Sequence, residues 1–212
     1  MVAQVASGGD LGREEAVMKL VLASTSPQRR AILEQLRIPF DTVRPEYEEH
    51  DPPDADPVEL VRAHAEGKAR SVHRDGAITL GVDTTVHLGD RLYGKPADET
   101  AAREMLGELD GRTHRVVSGL CLLGPGFSVV EHAVTDVSFR ELTGTEIDAY
   151  VAAGEWRGRA GGYAIQGLGG RLVAGIDGDY LNVVGLPGAL LVDVLTARAP
   201  KLLQIRADAF PG

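Results

Sequence analysis

Apolar positions follow two rhythms along this chain, and each rhythm marks a type of element. Residues 19–23 in "MKLVLAS" form a short apolar strand. The stretch "AITLGVDTTVHL" is a near-continuous β-type run, as expected of a strand covered on both faces. Between them, Ser26 supplies an N-cap and Pro27 the first position of a helix reaching about Leu36, with Ile32, Leu33 and Leu36 on its buried side. A second strand follows in "RIPFDTVRP". Beyond the acidic loop "EYEEHDPPDAD", Asp56, Pro57 and Glu59 make a capping-box-like start for a second helix, to about Val72. "ADETAAREML" reads as a short helix, "RVVSGLCLLG" and "EHAVTDVSFREL" as two strands of a hairpin, and "GTEIDAYVAAG" as a helix stopped by glycine. The Gly-rich "GRAGGYAIQGLGGRL" leads to a strand near "LVAGI", and the last helix starts at Pro187. Strand and helix signals alternate without a repeat, which predicts an α/β protein with a mixed sheet. No break in composition marks a second domain, so residues 18–212 are expected to fold as one unit. Met18 directly precedes the first strand, and residues 1–17 are expected to be a poorly ordered extension.

Charged residues that interrupt this pattern carry the candidate chemistry. Arg29 and Arg30 fall in the first turn of a helix, beside unpaired N–H groups and the positive end of the macrodipole. Arginine is unfavourable there unless an anion binds between. With Ser24, Ser26 and the first-turn amides the pair makes a phosphate cradle without a P-loop. The alternative is a solvated turn whose arginines pair with nearby acids. In the second helix Val61, Ala65 and Val72 form an apolar stripe on which Lys68 also falls, so this lysine either snorkels outward or reaches into a cleft. His64, on the same edge, is read as a satisfied, half-buried imidazole. Lys95 sits in the turn "YGKP", where solvent exposure is the default and a cleft mouth the functional option. Asp83 lies within an apolar strand run, and buried aspartates are rare unless paired or bound to metal. Glu46, Glu48 and Glu49 form an acidic run, one member of which could face phosphates through a metal ion. Mg²⁺ is typically held by one or two carboxylates together with substrate phosphates and water. Phosphoryl chemistry needs mostly positioning and charge neutralisation. The set therefore fits hydrolysis of a polyphosphate.

Composition removes several other classes. The formal net charge is −9, from 31 acidic against 22 basic residues, and aromatic content is 5%, which argues against a general nucleic-acid binder. A single cysteine, Cys121, excludes an intrachain disulfide framework, and its apolar surroundings predict a buried, inert thiol. No apolar segment approaches the ~20 residues that span a bilayer. The first residues lack the basic start and apolar core of a secretory signal, so a cytoplasmic protein without a membrane partner is expected. No P-loop, no G-x-G-x-x-G after a strand, no H-E-x-x-H and no G-x-S-x-G elbow occurs.

The motifs "LASTSPQRR", "PEYEEH", "AEGKA", "GVDTTV", "GKP", "LDGRTHRVVSG", "RAGGYAIQGLGG" and "NVVGLP", in this order from Met18 to about Thr196, resemble the Maf-like nucleoside triphosphate pyrophosphatases. The resemblance implies an elongated mixed β-sheet flanked by helices, with a cleft between two lobes, often in a homodimer. It implies hydrolysis of a nucleoside triphosphate to the monophosphate and pyrophosphate with a divalent metal, Mg²⁺ or else Mn²⁺. Residue by residue, it places Ser24, Arg29, Glu49, Lys68, Asp83, Lys95 and Gln166 on functional positions. Asp83, Glu49 and Lys68 are then the catalytic candidates, with Asp83 and Glu49 as metal ligands. Ser24, Arg29, Arg30, Thr84, Lys95 and Gln166 are the substrate-binding candidates. Gln166 is the residue expected to read the base, since its amide can pair with the donor and acceptor edge of a pyrimidine. Thr84 and "GYAIQG" resemble the branch acting on dTTP and UTP. Gln28 departs from that branch, and Arg29-Arg30 resembles the branch acting on 7-methyl-GTP. Arg159 replaces the lysine of the "KAG" of many members. The activity expected first is dTTP and UTP hydrolysis, including modified pyrimidine nucleotides. The alternatives are 7-methyl-GTP hydrolysis and a non-catalytic nucleotide-binding regulator of cell division.

Overall fold

Local signals account for most of the elements in the computed structural model, which describes residues 19–52 and 55–204. The expected extension at residues 1–17 lies outside them. Strand β1 (Leu20–Ala23) leads into helix α1 (Pro27–Gln35). There the Ser26 hydroxyl accepts the Arg29 N–H at 3.4 Å and Pro27 occupies the first turn, as its fixed φ favours. Strand β2 (Phe40–Val43) follows, then α2 (Pro57–Val72), whose Asp56 cap accepts the N–H groups of Val58 and Glu59 at 2.9 and 3.0 Å. Strand β3 (Ile78–Leu88) turns back into β4 (Arg91–Tyr93), and α3 (Glu99–Leu109) leads to the hairpin β5 (Thr113–Gly124) and β6 (Phe127–Phe139). Helix α4 (Gly144–Ala153) opens with a reciprocal capping box between Thr143 and Glu146 and ends at Gly154 in the left-handed region. Strand β7 (Val173–Asp177) and helices α5 (Tyr180–Val184) and α6 (Gly188–Arg198) complete the order. Neither β4 nor α5 was predicted, because three or five residues are too few to display a period.

The strands make one seven-stranded mixed sheet in the order β2-β1-β3-β5-β6-β7, with β4 paired to β3. Strands β2, β1 and β3 run parallel, while β3, β5, β6 and β7 pair antiparallel. Two apolar cores share its long strands. One gathers Leu20, Leu33, Leu80, Leu122, Leu191 and Leu195 under α1 and α6. The other gathers Val86, Leu106, Val116, Phe139, Tyr150 and Trp156 under α3 and α4. These are the two lobes, and β3 and β5 run through both.

On the opposite face, α2 lies hard against β3 and β5. A Cβ at Gly81 would come within 2.0 Å of the Ala65 carbonyl oxygen, and one at Gly119 within 2.1 Å of that of Val61. These two glycines set the helix-to-sheet distance, and through it the place of every side chain that α2 turns inward. Cys121 is fully buried beneath the same helix. Burial pushes its thiol up to about 12, which keeps it unreactive as expected.

Candidate active site

Alternation along β3 sends successive side chains to opposite faces. Ile78, Leu80 and Val82 therefore enter the core under α1 and α6, and Asp83 turns to the α2 side. The close seat of α2 brings Lys68 over the sheet, so that its Nζ lies 2.6 Å from Asp83 Oδ1. The same ammonium lies 2.6 Å from Glu49 Oε1, on the loop between β2 and α2. Lys68 is 6% exposed and Asp83 9%. The lysine therefore reaches into a cleft and does not snorkel, and its two carboxylates make its burial tolerable. Burial alone would raise the Asp83 carboxyl, but Lys68 and then Arg29 oppose this and hold it below the usual range. Asp83 is thus ionised at neutral pH.

Thr84 turns to the other face, and there the helix-start cluster assembles. Arg29 Nε donates to the Gly185 carbonyl at 2.9 Å, and its two other nitrogens donate to Ser24 Oγ at 3.4 Å and Thr84 Oγ1 at 3.3 Å. Ser24 Oγ also accepts the Ser26 N–H at 3.1 Å, and Thr84 shares a hydrogen bond with Ser118 at 2.8 Å. Burial lowers the Arg29 pKa, while Asp83 and Glu49 raise it. The guanidinium stays charged, since arginine starts so far above neutrality.

These two clusters form the floor of one cleft of about 580 Å³ between the lobes. Ser24, Arg29, Glu49, Lys68, Asp83, Thr84, Lys95 and Gln166 all line it. Lys95, on the turn after β4, and Gln166, in the Gly-rich loop, are exposed at the rim. Arg30 is the exception. It is exposed and does not line the cleft, because successive residues of a helix point about 100° apart and Arg29 takes the inward direction. His64 departs from its expected half-burial: it is 3% exposed, with both ring nitrogens bonded.

Gln28 and Arg159 also line the cleft. Gln28 accepts a hydrogen bond from the Ser26 hydroxyl at 3.0 Å, and Arg159 enters from the Gly-rich loop, whose Gly161 N–H donates to the Gly94 carbonyl at 3.2 Å. Arg159 Nε is buried without a hydrogen-bond partner among the described residues. Only its place in the "KAG" position marked it in the sequence.

Among the described residues no group of three or more His, Cys, Asp or Glu side chains is arranged to hold an ion. Glu49 and Asp83 still fit the way Mg²⁺ is usually bound, with one or two carboxylates and the remaining positions filled by water and substrate oxygens. Nor is any described helix long and apolar enough to cross a membrane.

A floor on which Lys68 and Arg29 offset Asp83 and Glu49, with cationic and amide groups at the rim that have no partner among the described residues, suits a ligand that is itself a polyanion joined to a hydrogen-bonding ring. Comparison with known proteins points the same way. A protein of Symbiobacterium thermophilum named dTTP/UTP pyrophosphatase is 45% identical over 182 residues, covering 85% of this chain and 94% of its own length. One of the same name from Moorella thermoacetica is 48% identical over 178 residues, 80% of this chain and 89% of its own. The solved structure of the Staphylococcus aureus Ham1 protein overlaps 57% of this chain and 71% of its own at 13% identity and TM-score 0.41, too loose a likeness to add to the architecture seen directly. The family model described as Maf-like protein matches residues 19–198, which takes in both lobes and every cleft residue named above, and the chain therefore belongs to the Maf-like protein family.

Proposed function

We propose that this protein hydrolyses dTTP and UTP, and modified pyrimidine nucleotides with them, to the nucleoside monophosphate and pyrophosphate. The observation that carries the reading is Lys68, held 2.6 Å from both Asp83 and Glu49 on the floor of a cleft whose rim carries Lys95, Arg159 and Gln166. Relatives of this chain named dTTP/UTP pyrophosphatase support the substrate.

In this reading water attacks the α-phosphorus and the bridging oxygen leaves with pyrophosphate. Asp83, ionised and fixed by Lys68, orients that water and takes its proton. A carboxylate held below its usual range is a weak base. The bound triphosphate, however, competes for Lys68 and Arg29 and so loosens their hold on Asp83. Arg29, Lys95 and Arg159 neutralise the phosphates, Ser24 and the first-turn amides cap them, and Thr84 holds the Arg29 fork in place. Gln166 reads the base. A divalent cation, Mg²⁺ or Mn²⁺, would be held by Asp83 and Glu49 and would supply charge neutralisation at the phosphates. A homodimer working in the cytoplasm completes the proposal.

The test is a product assay. Purified protein with Mg²⁺ is incubated with dTTP, UTP, 5-methyl-UTP, 7-methyl-GTP, CTP, ATP and ITP, and monophosphate is resolved from pyrophosphate. Pyrimidine monophosphates accompanied by pyrophosphate are expected. Preference for 7-methyl-GTP would give specificity to the turn holding Gln28, which also lines the cleft. Nucleotide binding without turnover would overturn the enzymatic reading.

A further inference from the structure

Glu49 approaches Lys68 from a loop, and the fold shows what holds that loop. Helix α2 presents His64 and Lys68 one turn apart on the same face, both buried. His64 Nδ1 is 2.9 Å from the Tyr47 hydroxyl, and its Nε2 is 2.8 Å from Asp51 Oδ1. His64 thus bridges Tyr47 and Asp51 through its two ring nitrogens. Tyr47, Glu49 and Asp51 are alternate residues, the spacing at which an extended chain presents one side. Three successive contacts thus fasten the loop to one face of α2.

Gly67 makes the seat for the first of them. A Cβ there would stand 2.1 Å from Tyr47 Cε2 and 2.5 Å from Cζ, so the ring occupies the space of a side chain. A glycine inside a helix costs about 1 kcal/mol relative to alanine, and nothing in α2 itself calls for one here.

We propose that Tyr47, His64 and Gly67 are positioning residues, forming a strap that holds the Glu49 carboxylate at the floor of the cleft. This rests on the role given to Glu49 above.

The strap is tested by combining Tyr47→Phe and Gly67→Ala with Glu49→Gln and following kcat, KM and Tm with dTTP and Mg²⁺. Tyr47→Phe keeps the ring and removes one half-buried hydrogen bond, so a loss of about three- to tenfold in kcat/KM is expected. Gly67→Ala displaces the ring and should fall to within about threefold of Glu49→Gln. In the Glu49→Gln background neither change should slow the enzyme further, because residues acting through one group are not additive. Equal losses in both backgrounds, or wild-type kcat/KM for Tyr47→Phe and Gly67→Ala beside a slow Glu49→Gln, would overturn the strap. Glu49→Gln at the wild-type rate would instead remove Glu49 from the reaction, a failure of the underlying reading that the same measurements tell apart. Tyr47→Phe keeps the cycle readable if Gly67→Ala folds poorly.

Discussion

The floor of the cleft and its rim meet the same problem of charge in opposite ways. On the floor the buried Lys68 sits 2.6 Å from the buried Asp83 and from Glu49, whose carboxylate remains open to solvent, and Arg29 is tied to Gly185, Ser24 and Thr84. At the rim Lys95 and Gln166 are exposed. Buried charges must be neutralised before substrate arrives, since an isolated ion in the interior would cost many kcal/mol. Exposed groups are stabilised by water and can wait. The floor is therefore preorganised and contributes to the stability of the fold, whereas the rim, which serves recognition in the proposed function, should be nearly free to change without harm to the fold.

The largest effect expected is at Asp83. Asp83→Asn removes the base of the proposed mechanism, and a loss of about 10²–10⁴ in kcat is expected. A fall under about tenfold, with thermal unfolding unchanged, would take Asp83 out of the mechanism. Lys68→Met should injure both functions of the floor. It leaves two carboxylates facing each other, and a destabilisation of about 3 kcal/mol would lower Tm by roughly 6–12 °C in a chain of this size. Calorimetry showing an unchanged Tm would mean that the floor ions do not hold the fold. At the rim, Lys95→Ala and Gln166→Ala should raise KM about tenfold with Tm constant. Gln166→Ala should also shrink the preference for pyrimidine over purine triphosphates, measured as a ratio of kcat/KM values.

Acid offers the finest separation. Asp83 lies below its ordinary 3.8, so this carboxylate keeps its charge until the pH falls beneath that value, and only then is its contribution to stability lost. His114 behaves differently. Its Nε2 is 2.8 Å from the Tyr163 hydroxyl, its Nδ1 has no partner among the described residues, and burial lowers it from 6.5 to about 4. Between those values the unfolded chain binds the extra proton, so stability falls as pH drops from 6.5 toward 4, by about 3 kcal/mol in all. Denaturant titrations at pH 7 and 4.5 should show this loss, and a His114→Phe variant should flatten it. Inactivation in that window then reports the second lobe and not the floor.

What could be read without the fold was what is local. Ser26-Pro27, Asp56-Pro57 and Thr143 through Glu146 each carry their own cap, so helix starts were legible within a few residues. Asp83 and Lys68 stood out because each breaks an apolar pattern, and that signal needs no partner. The choice of Glu49 among three neighbouring glutamates was not legible from the spacing alone, nor was the exclusion of Arg30. The seat that Gly67 makes for Tyr47 left no mark either, since a glycine inside a helix reads only as a cost.

Sequence alone therefore determined the alternation of elements, the buried aspartate and the arginine at the helix start, because propensity, capping and periodicity act over one or two turns. Tertiary structure decided which charges meet. Lys68 and Asp83 are 15 residues apart and Arg29 and Gly185 are 156 apart, and their contacts exist only once α2 settles on Gly81 and Gly119 and β3 carries both faces of the site through the sheet. Distances of that kind are set by the packing of whole elements, which no short stretch of residues encodes.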